Sequence, residues 1–385
     1  MEVYLDNAAT TKPLKSVVEA LVEAMEFNYG NPSSLHRKGL EVERKIKEVR
    51  KYLSKEIKGK PSEVIFTSGG TESNNIAILG ALNHVKREAP KVITLPTEHK
   101  SVLNAIKELE GKGFEVCHGK MDDRGRVDLS HLQGILDKNT VLVSISYINN
   151  ETGVIQPIEE IGKILKDRNC GAKFHVDGVQ AFGKVNIDVK KCNIDMLTGS
   201  AHKIHGPKGI GFLYVKEGTL IKPLFFGGTQ EYTLRPGTEN TPGILGFGNG
   251  LKELLGNKRE VYNKVLGIKK AFMQQLEQEI SDISIVSKNI EEESPYILNV
   301  SFLGVKSEVL LHSLESVGIY VSSGSACTSK EQDHSHVLEA IGLSEESIDS
   351  ALRFSFSRYT TEEEINYALG QLKSIVNELR MIMKR

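Results

Sequence analysis

At 385 residues the chain is too long for one simple core and fits a large domain plus a smaller one. Hydrophobic residues make up 39%, and 49 Lys+Arg offset 50 Asp+Glu to a net charge of -1, so neither a nucleic-acid-binding nor a membrane-directed composition is present. The start Met1-Glu-Val-Tyr-Leu-Asp-Asn has no basic region before an apolar run, and no apolar run elsewhere reaches a membrane-spanning length, so a cytoplasmic protein is expected.

From Val64 to Val215, short apolar β-rich runs alternate with helical patterns. These runs are Val64-Ile-Phe-Thr, Val92-Ile-Thr-Leu, Val141-Leu-Val-Ser-Ile-Ser, Phe174-His-Val-Asp and Ile210-Gly-Phe-Leu-Tyr-Val. Alternation of this kind predicts an α/β domain with a mainly parallel sheet covered by helices on both faces, and ligands gather at the carboxyl ends of such strands. Beyond about Gly256 the pattern changes to a long helix through Ile280, a strand over Ile297-Leu-Asn-Val-Ser-Phe, a helix from Glu308 to Ser316, and Arg353-Phe-Ser-Phe-Ser. This predicts a large domain over 14–255 and a smaller α+β domain from 1–13 and 256–385. Thr361 with Glu364 makes a capping-box pattern for the last helix, whose Ile365, Leu369, Leu372, Val376 and Leu379 recur at helical spacing.

Three motifs carry chemistry. The strand ending at Thr67 runs into Ser68-Gly-Gly-Thr-Glu-Ser-Asn-Asn and then a helix, a turn that lets backbone amides approach an anion, although such turns are commonly only turns. Lys173-Phe-His-Val ends in Asp177-Gly-Val-Gln180, which places a carboxylate at a strand's carboxyl end; it reads either as a helix N-cap or as the partner of a protonated pyridine nitrogen. Asp195-Met-Leu-Thr-Gly-Ser-Ala-His-Lys follows with Ser200, His202 and Lys203. A lysine amine held neutral at pH 7 costs roughly 4 to 5 kcal/mol, a cost that imine formation with an aldehyde cofactor removes. His202 and His205 lack the carboxylate of a helical zinc motif, so no metal is expected.

With Gly-Gly-Thr, Asp-x-x-Gln and Ser-x-His-Lys in that order, the chain resembles the cysteine desulfurases of the iron-sulfur-cluster and nitrogen-fixation type. The resemblance extends over Tyr4-Leu-Asp-Asn-Ala-Ala-Thr-Thr, Thr94-Leu-Pro-Thr-Glu-His-Lys, Asn149-Asn-Glu-Thr-Gly, Arg235-Pro-Gly-Thr-Glu-Asn, Ser322-Ser-Gly-Ser-Ala-Cys-Thr-Ser and Arg353-Phe-Ser. It implies the aspartate-aminotransferase-like fold (type I) of pyridoxal 5′-phosphate (PLP) enzymes, with a seven-stranded type of sheet, built as a homodimer. It further implies that Lys203 forms the internal aldimine, Asp177 pairs with the pyridinium nitrogen, Gln180 bonds the ring oxygen and His99 stacks on the ring and assists proton transfer. Gly70, Thr71, Ser200 and His202 are implied as phosphate ligands, with Thr238 reaching the same phosphate from the neighbouring subunit. Asn150 is implied near substrate and ring, and Arg353 as the clamp on the L-cysteine carboxylate.

Cys327 lies in Ser322-Ser-Gly-Ser-Ala-Cys-Thr-Ser-Lys-Glu-Gln-Asp-His-Ser-His, a small and polar stretch that reads as a mobile loop over about 322–336. The resemblance makes it the nucleophile that takes sulfur as a persulfide and passes it to an acceptor such as an iron-sulfur scaffold. Cys117, Cys170 and Cys192 read as packing or surface residues, and His334 and His336 as solvated loop histidines. Departures from the family pattern are Gly70 where alanine is frequent, Gly178-Val179 between Asp177 and Gln180, Pro236, and an end at Met383-Lys-Arg without the tail used in scaffold docking. The alternatives are a selenocysteine lyase and a non-catalytic sulfur-transfer partner of the same fold.

Overall fold

The computed structural model describes residues 1–286, 291–323 and 334–383. A seven-stranded sheet forms its centre, in the order Val64–Thr67, Gly211–Val215, Met196–Ser200, Lys173–Asp177, Thr140–Ser146, Lys91–Thr94 and Glu115–His118. Gly211–Val215 runs antiparallel to both neighbours, and every other pairing is parallel. The carboxyl ends of Val64–Thr67, Lys91–Thr94, Thr140–Ser146, Lys173–Asp177 and Met196–Ser200 therefore share one edge.

Period-2 alternation splits each strand between two apolar clusters. Val64, Phe66, Ile93, Val143, Ile145, Leu197, Phe212 and Tyr214 enter one cluster. Ile65, Val92, Leu142, Met196 and Leu213 enter the other. Burial on both faces explains why these strands read as continuous apolar runs, and each such side chain contributes about 1.5–3 kcal/mol. Edge strand Glu115–His118 is half-exposed and carries Glu115, Cys117 and His118, so apolar content did not mark it.

In the C-terminal part, Ser322–Ser323, Ala351–Ser355, Ile297–Phe302 and Ile283–Ile285 form an antiparallel sheet in that order. Val3–Tyr4 pairs in parallel with Ile319–Tyr320, and Asp6 bridges to Ser355, which brings the first residues against this sheet. Helices Lys258–Glu279, Ser307–Ser316 and Glu362–Met383 pack together there. The expected capping box is formed: Thr361 N donates to Glu364 Oε2 at 2.8 Å, and Glu364 N to Thr361 Oγ1 at 3.2 Å. Phe247 and Leu251 share one apolar cluster with Val265, Ile268 and Phe354, so the core is continuous across residue 256. Among the described residues, no helix is long and apolar enough to cross a membrane.

Candidate active site

The loops that leave the sheet's carboxyl edge surround a cavity of about 400 Å³, lined among others by Gly70, Thr71, His99, Asn150, Asp177, Gln180, His202, Lys203 and Arg353. Sequence segments up to hundreds of residues apart thus converge as expected for this kind of sheet. Ser200 lies in an adjoining cleft that also contains Gly70, Thr71 and His202. Thr238 is outside the cavity, in an open groove with Thr71, Glu72 and Arg235. Cys327 lies outside the described residues.

Lys203 follows the Met196–Ser200 strand in a short 3-10 turn, and its Nζ donates to Ala8 O at 2.5 Å and Ala9 O at 2.7 Å. Asp177 closes the Lys173–Asp177 strand, buried, with both oxygens engaged. Oδ1 accepts from Val179 N at 2.9 Å, the local-turn bond that the N-cap reading anticipates, while Oδ2 accepts from Asn74 Nδ2 at 2.7 Å. Carboxylate oxygens each have spare acceptor capacity, so neither bond closes Asp177 to a cavity ligand. Asn74, quoted in the first motif but given no role, is the residue that aims this carboxylate.

His99 caps the Lys100–Glu110 helix, with Nδ1 accepting from Ser101 N at 3.1 Å; burial lowers its pKa, against the opposing charge of Asp177. Burial, then Lys203 and Lys208, push the His202 pKa down to about 4, which leaves a neutral ring beside Thr10 Oγ1 at 3.3 Å. His205 instead faces Lys12 O at 2.9 Å, so the two histidines are committed to different partners.

Arg353 projects from the Ala351–Ser355 strand and is buried. Its Nη1 donates to Asn150 O at 2.9 Å and its Nη2 to Asp6 Oδ1 at 3.0 Å, while Nε has no partner among the described residues. Asn149 holds that turn: its Nδ2 donates to Thr97 O at 2.9 Å and its Oδ1 accepts from Glu151 N and Thr152 N. Asp6 and Glu151, quoted within sequence motifs but given no role there, also line the cavity; burial raises the pKa of both, with Arg353 opposing. Glu151 Oε2 accepts from Ser335 Oγ and Glu98 O lies 2.9 Å from His336 Nε2, so the residues after the Cys327 segment rest on the rim of the cavity. Of the two histidines expected as solvated loop residues, His334 is exposed and lies 3.5 Å from Asp349 Oδ1, whereas His336 is half-buried against Glu98 O.

Proteins of the aminotransferase class-V family are PLP-dependent, and the residues present fit that group. Ser200 Oγ is buried without a partner among the described residues, an unmet hydroxyl beside the Gly70–Thr71 turn where a phosphate is chemically suited. The profile of this family, described as aminotransferase class-V, matches residues 3–368. A cysteine desulfurase of Nostoc sp. is 43% identical over 380 residues, covering 99% of this chain and 94% of the relative. The cysteine desulfurase IscS of Dictyoglomus turgidum is 41% identical over 381 residues, covering 99% and 96%. Among solved structures, a NifS-like protein superposes with a TM-score of 0.92 at 36% identity, covering 98% of this chain and all (100%) of that one. SspA in complex with cysteine gives 0.81 at 34% identity, covering 93% and 100%. The fold, the convergent site and these full-length matches place the chain in the aminotransferase class-V family, among the cysteine desulfurases.

Proposed function

We propose that the enzyme converts L-cysteine to L-alanine and carries the removed sulfur as a persulfide on Cys327. The observation that carries this reading is the lining of one cavity by the Lys203 amine, the Asp177 carboxylate and the Arg353 guanidinium, in a chain of this family. When bound, PLP supplies an electron sink for the bonds of the substrate amino acid's α-carbon. Lys203 Nζ would hold it, Asp177 would face its ring nitrogen, Gln180 its ring oxygen and His99 its ring face. Gly70, Thr71, Ser200 and His202 would take the phosphate; a neutral His202 donates through one ring N–H without adding charge.

Arg353 binds the substrate carboxylate, using the buried Nε that lacks a partner, while Asn150 flanks the amino group. Lys203 Nζ would take the α-proton of the bound amino acid and later return a proton to the α-carbon, with His99 assisting. The Cys327 thiolate attacks the substrate sulfur: the S–S bond forms as the carbon–sulfur bond breaks, and protonation at the β-carbon leaves alanine. Atoms balance without an external oxidant, because the sulfur lost by cysteine is the sulfur gained by Cys327.

The active unit is proposed as a homodimer in which Thr238 completes the partner's phosphate site. Supporting this, Thr238 lies outside its own cavity, and Val22, Met25, Phe27, Tyr29, Leu35 and Phe226 are exposed apolar side chains that a partner subunit could cover. A cytoplasmic location and delivery to a protein acceptor such as an iron-sulfur scaffold complete the proposal. Lys203→Ala is expected to abolish alanine formation and the cofactor's visible band. Cys327→Ala is expected to keep the band and form no persulfide; sustained sulfur release by that variant sinks the nucleophile assignment.

A further inference from the structure

Lys184 is a second lysine at the site, absent from every motif above. It is only 8% exposed, and its Nζ donates to Gln180 Oε1 at 2.9 Å. The Tyr296 ring lies beneath it, centroid 5.4 Å away. Burial, then the charges of Lys203 and Arg353, push its pKa down to about 7, and no anion among the described residues offsets them. The surrounding groups do not help it: His202 and His205 are themselves held neutral, and Lys258 and Arg358 line the small void behind it. Burying an ammonium without an anion is costly, so its one strong contact needs a reason.

That contact is with an ambiguous group. A glutamine amide is nearly symmetric in shape but has an acceptor at one end and two donors at the other. Gln180 Nε2 donates to Ala8 O at 2.9 Å, and that carbonyl also accepts from Lys203 Nζ at 2.5 Å, so Ala8 favours the same orientation at one end of the amide. While protonated, Lys184 has no acceptor and can face only Oε1. Lys184 therefore excludes the flipped amide, and the second N–H of Gln180 stays on the side of the cavity that Gln180 lines.

We propose that Lys184 is a positioning residue that locks the Gln180 side chain with its nitrogen toward the cavity, so that the ring oxygen of the bound cofactor meets a donor and not a carbonyl. This rests on the reading of the cavity as the PLP site. A donor at that oxygen favours its anionic form, so its loss moves the titration of the visible band upward.

The test uses the full-length holoprotein and reads the band's position and pH midpoint, with cofactor affinity measured separately. Lys184→Met is expected to raise the midpoint by about one pH unit and weaken cofactor binding about tenfold, the scale of one bond to a charged acceptor. Lys184→Arg keeps a donor and is expected to hold the wild-type midpoint, a rescue that loss of packing alone does not predict. In a Gln180→Ala background, Lys184→Met is expected to leave the midpoint unmoved. An unchanged midpoint in the single variant overturns the inference, as does an equal shift in both backgrounds, which makes Lys184 a bare charge. A wild-type protein that binds no PLP overturns the reading of the cavity itself, and the inference with it.

Discussion

Ser200 shows how much one side chain discloses. Its Oγ is buried and has no partner among the described residues, and leaving a buried hydroxyl unmet costs about 1–3 kcal/mol, so it is maintained against stability. A residue whose hydroxyl served folding would be bonded within the chain, as Thr198 is to His175 at 3.2 Å on the same strand. Ser200→Ala is therefore expected to leave thermal unfolding of the cofactor-free protein unchanged or slightly raised. The same substitution should weaken PLP binding by roughly 10- to 100-fold, the worth of a bond to a charged group at about 1.5–3 kcal/mol. Unfolding curves without cofactor and a PLP titration check both, and a less stable cofactor-free variant with undiminished affinity contradicts the phosphate role. Arg353 Nε, equally buried and unmet, has the same logic, but its other nitrogens hold Asp6 and Asn150, so its removal mixes folding with binding.

At the scale of elements, the turn after Val64–Thr67 and the turn after Lys173–Asp177 touch each other. A Cβ on Gly70 would sit 2.7 Å from Val179 Cγ2, too close to be absorbed without movement. The two family departures noted in the sequence, Gly70 and Val179, are thus one packing solution across two loops. Gly70→Ala is expected to cost about 1–3 kcal/mol by overpacking, with PLP affinity reduced, and Val179→Ala in the same chain is expected to restore both. A double-mutant cycle in urea checks this; strict additivity of the two substitutions contradicts the contact. The parallel strands were legible as continuous apolar runs buried on both faces, and the last helix through its helical apolar period. Glu115–His118 was not, since an edge strand has little apolar face, and neither was the π-helical turn Ile76–Gly80, which no residue of Ile-Ala-Ile-Leu-Gly signals. Of the site, residues that sit directly on strand ends were legible. Their partners were not: Ala8 and Ala9 meet Lys203 through bare carbonyls, and Asn74 reaches Asp177 across the sheet, contacts that no local spacing encodes.

The whole molecule carries two buried groups whose titration opposes each other in its stability. Glu98 is fully buried; Ser146 N and Oγ donate to its Oε1, Oε2 has no partner among the described residues, and burial drives its pKa up to about 8 from an ordinary 4.5. Between pH 4.5 and about 8 the folded chain keeps this proton and the unfolded chain loses it, so stability falls as pH rises through that window. Lys184 behaves in reverse. Its pKa falls to about 7 from 10.5, so the unfolded chain binds the extra proton and stability rises from about pH 7 to 10.5. Glu98 therefore pulls stability down as pH rises toward 8, against His175, His202 and His205, whose pKa values near 4 pull it up as far as about pH 6.5, and Lys184 pulls it up above pH 7. Glu98→Gln keeps the shape and the acceptor for Ser146 while removing the ionisation. It is expected to unfold like the parent at pH 4.5 and to gain on it progressively up to pH 8, with a constant advantage beyond. Urea unfolding of both proteins across pH 4.5 to 9.5 checks the sign. A variant whose advantage shrinks with rising pH means that Glu98 is ionised in the folded state, in which case the negative charge next to Asp177 and beneath His99 belongs to the working site.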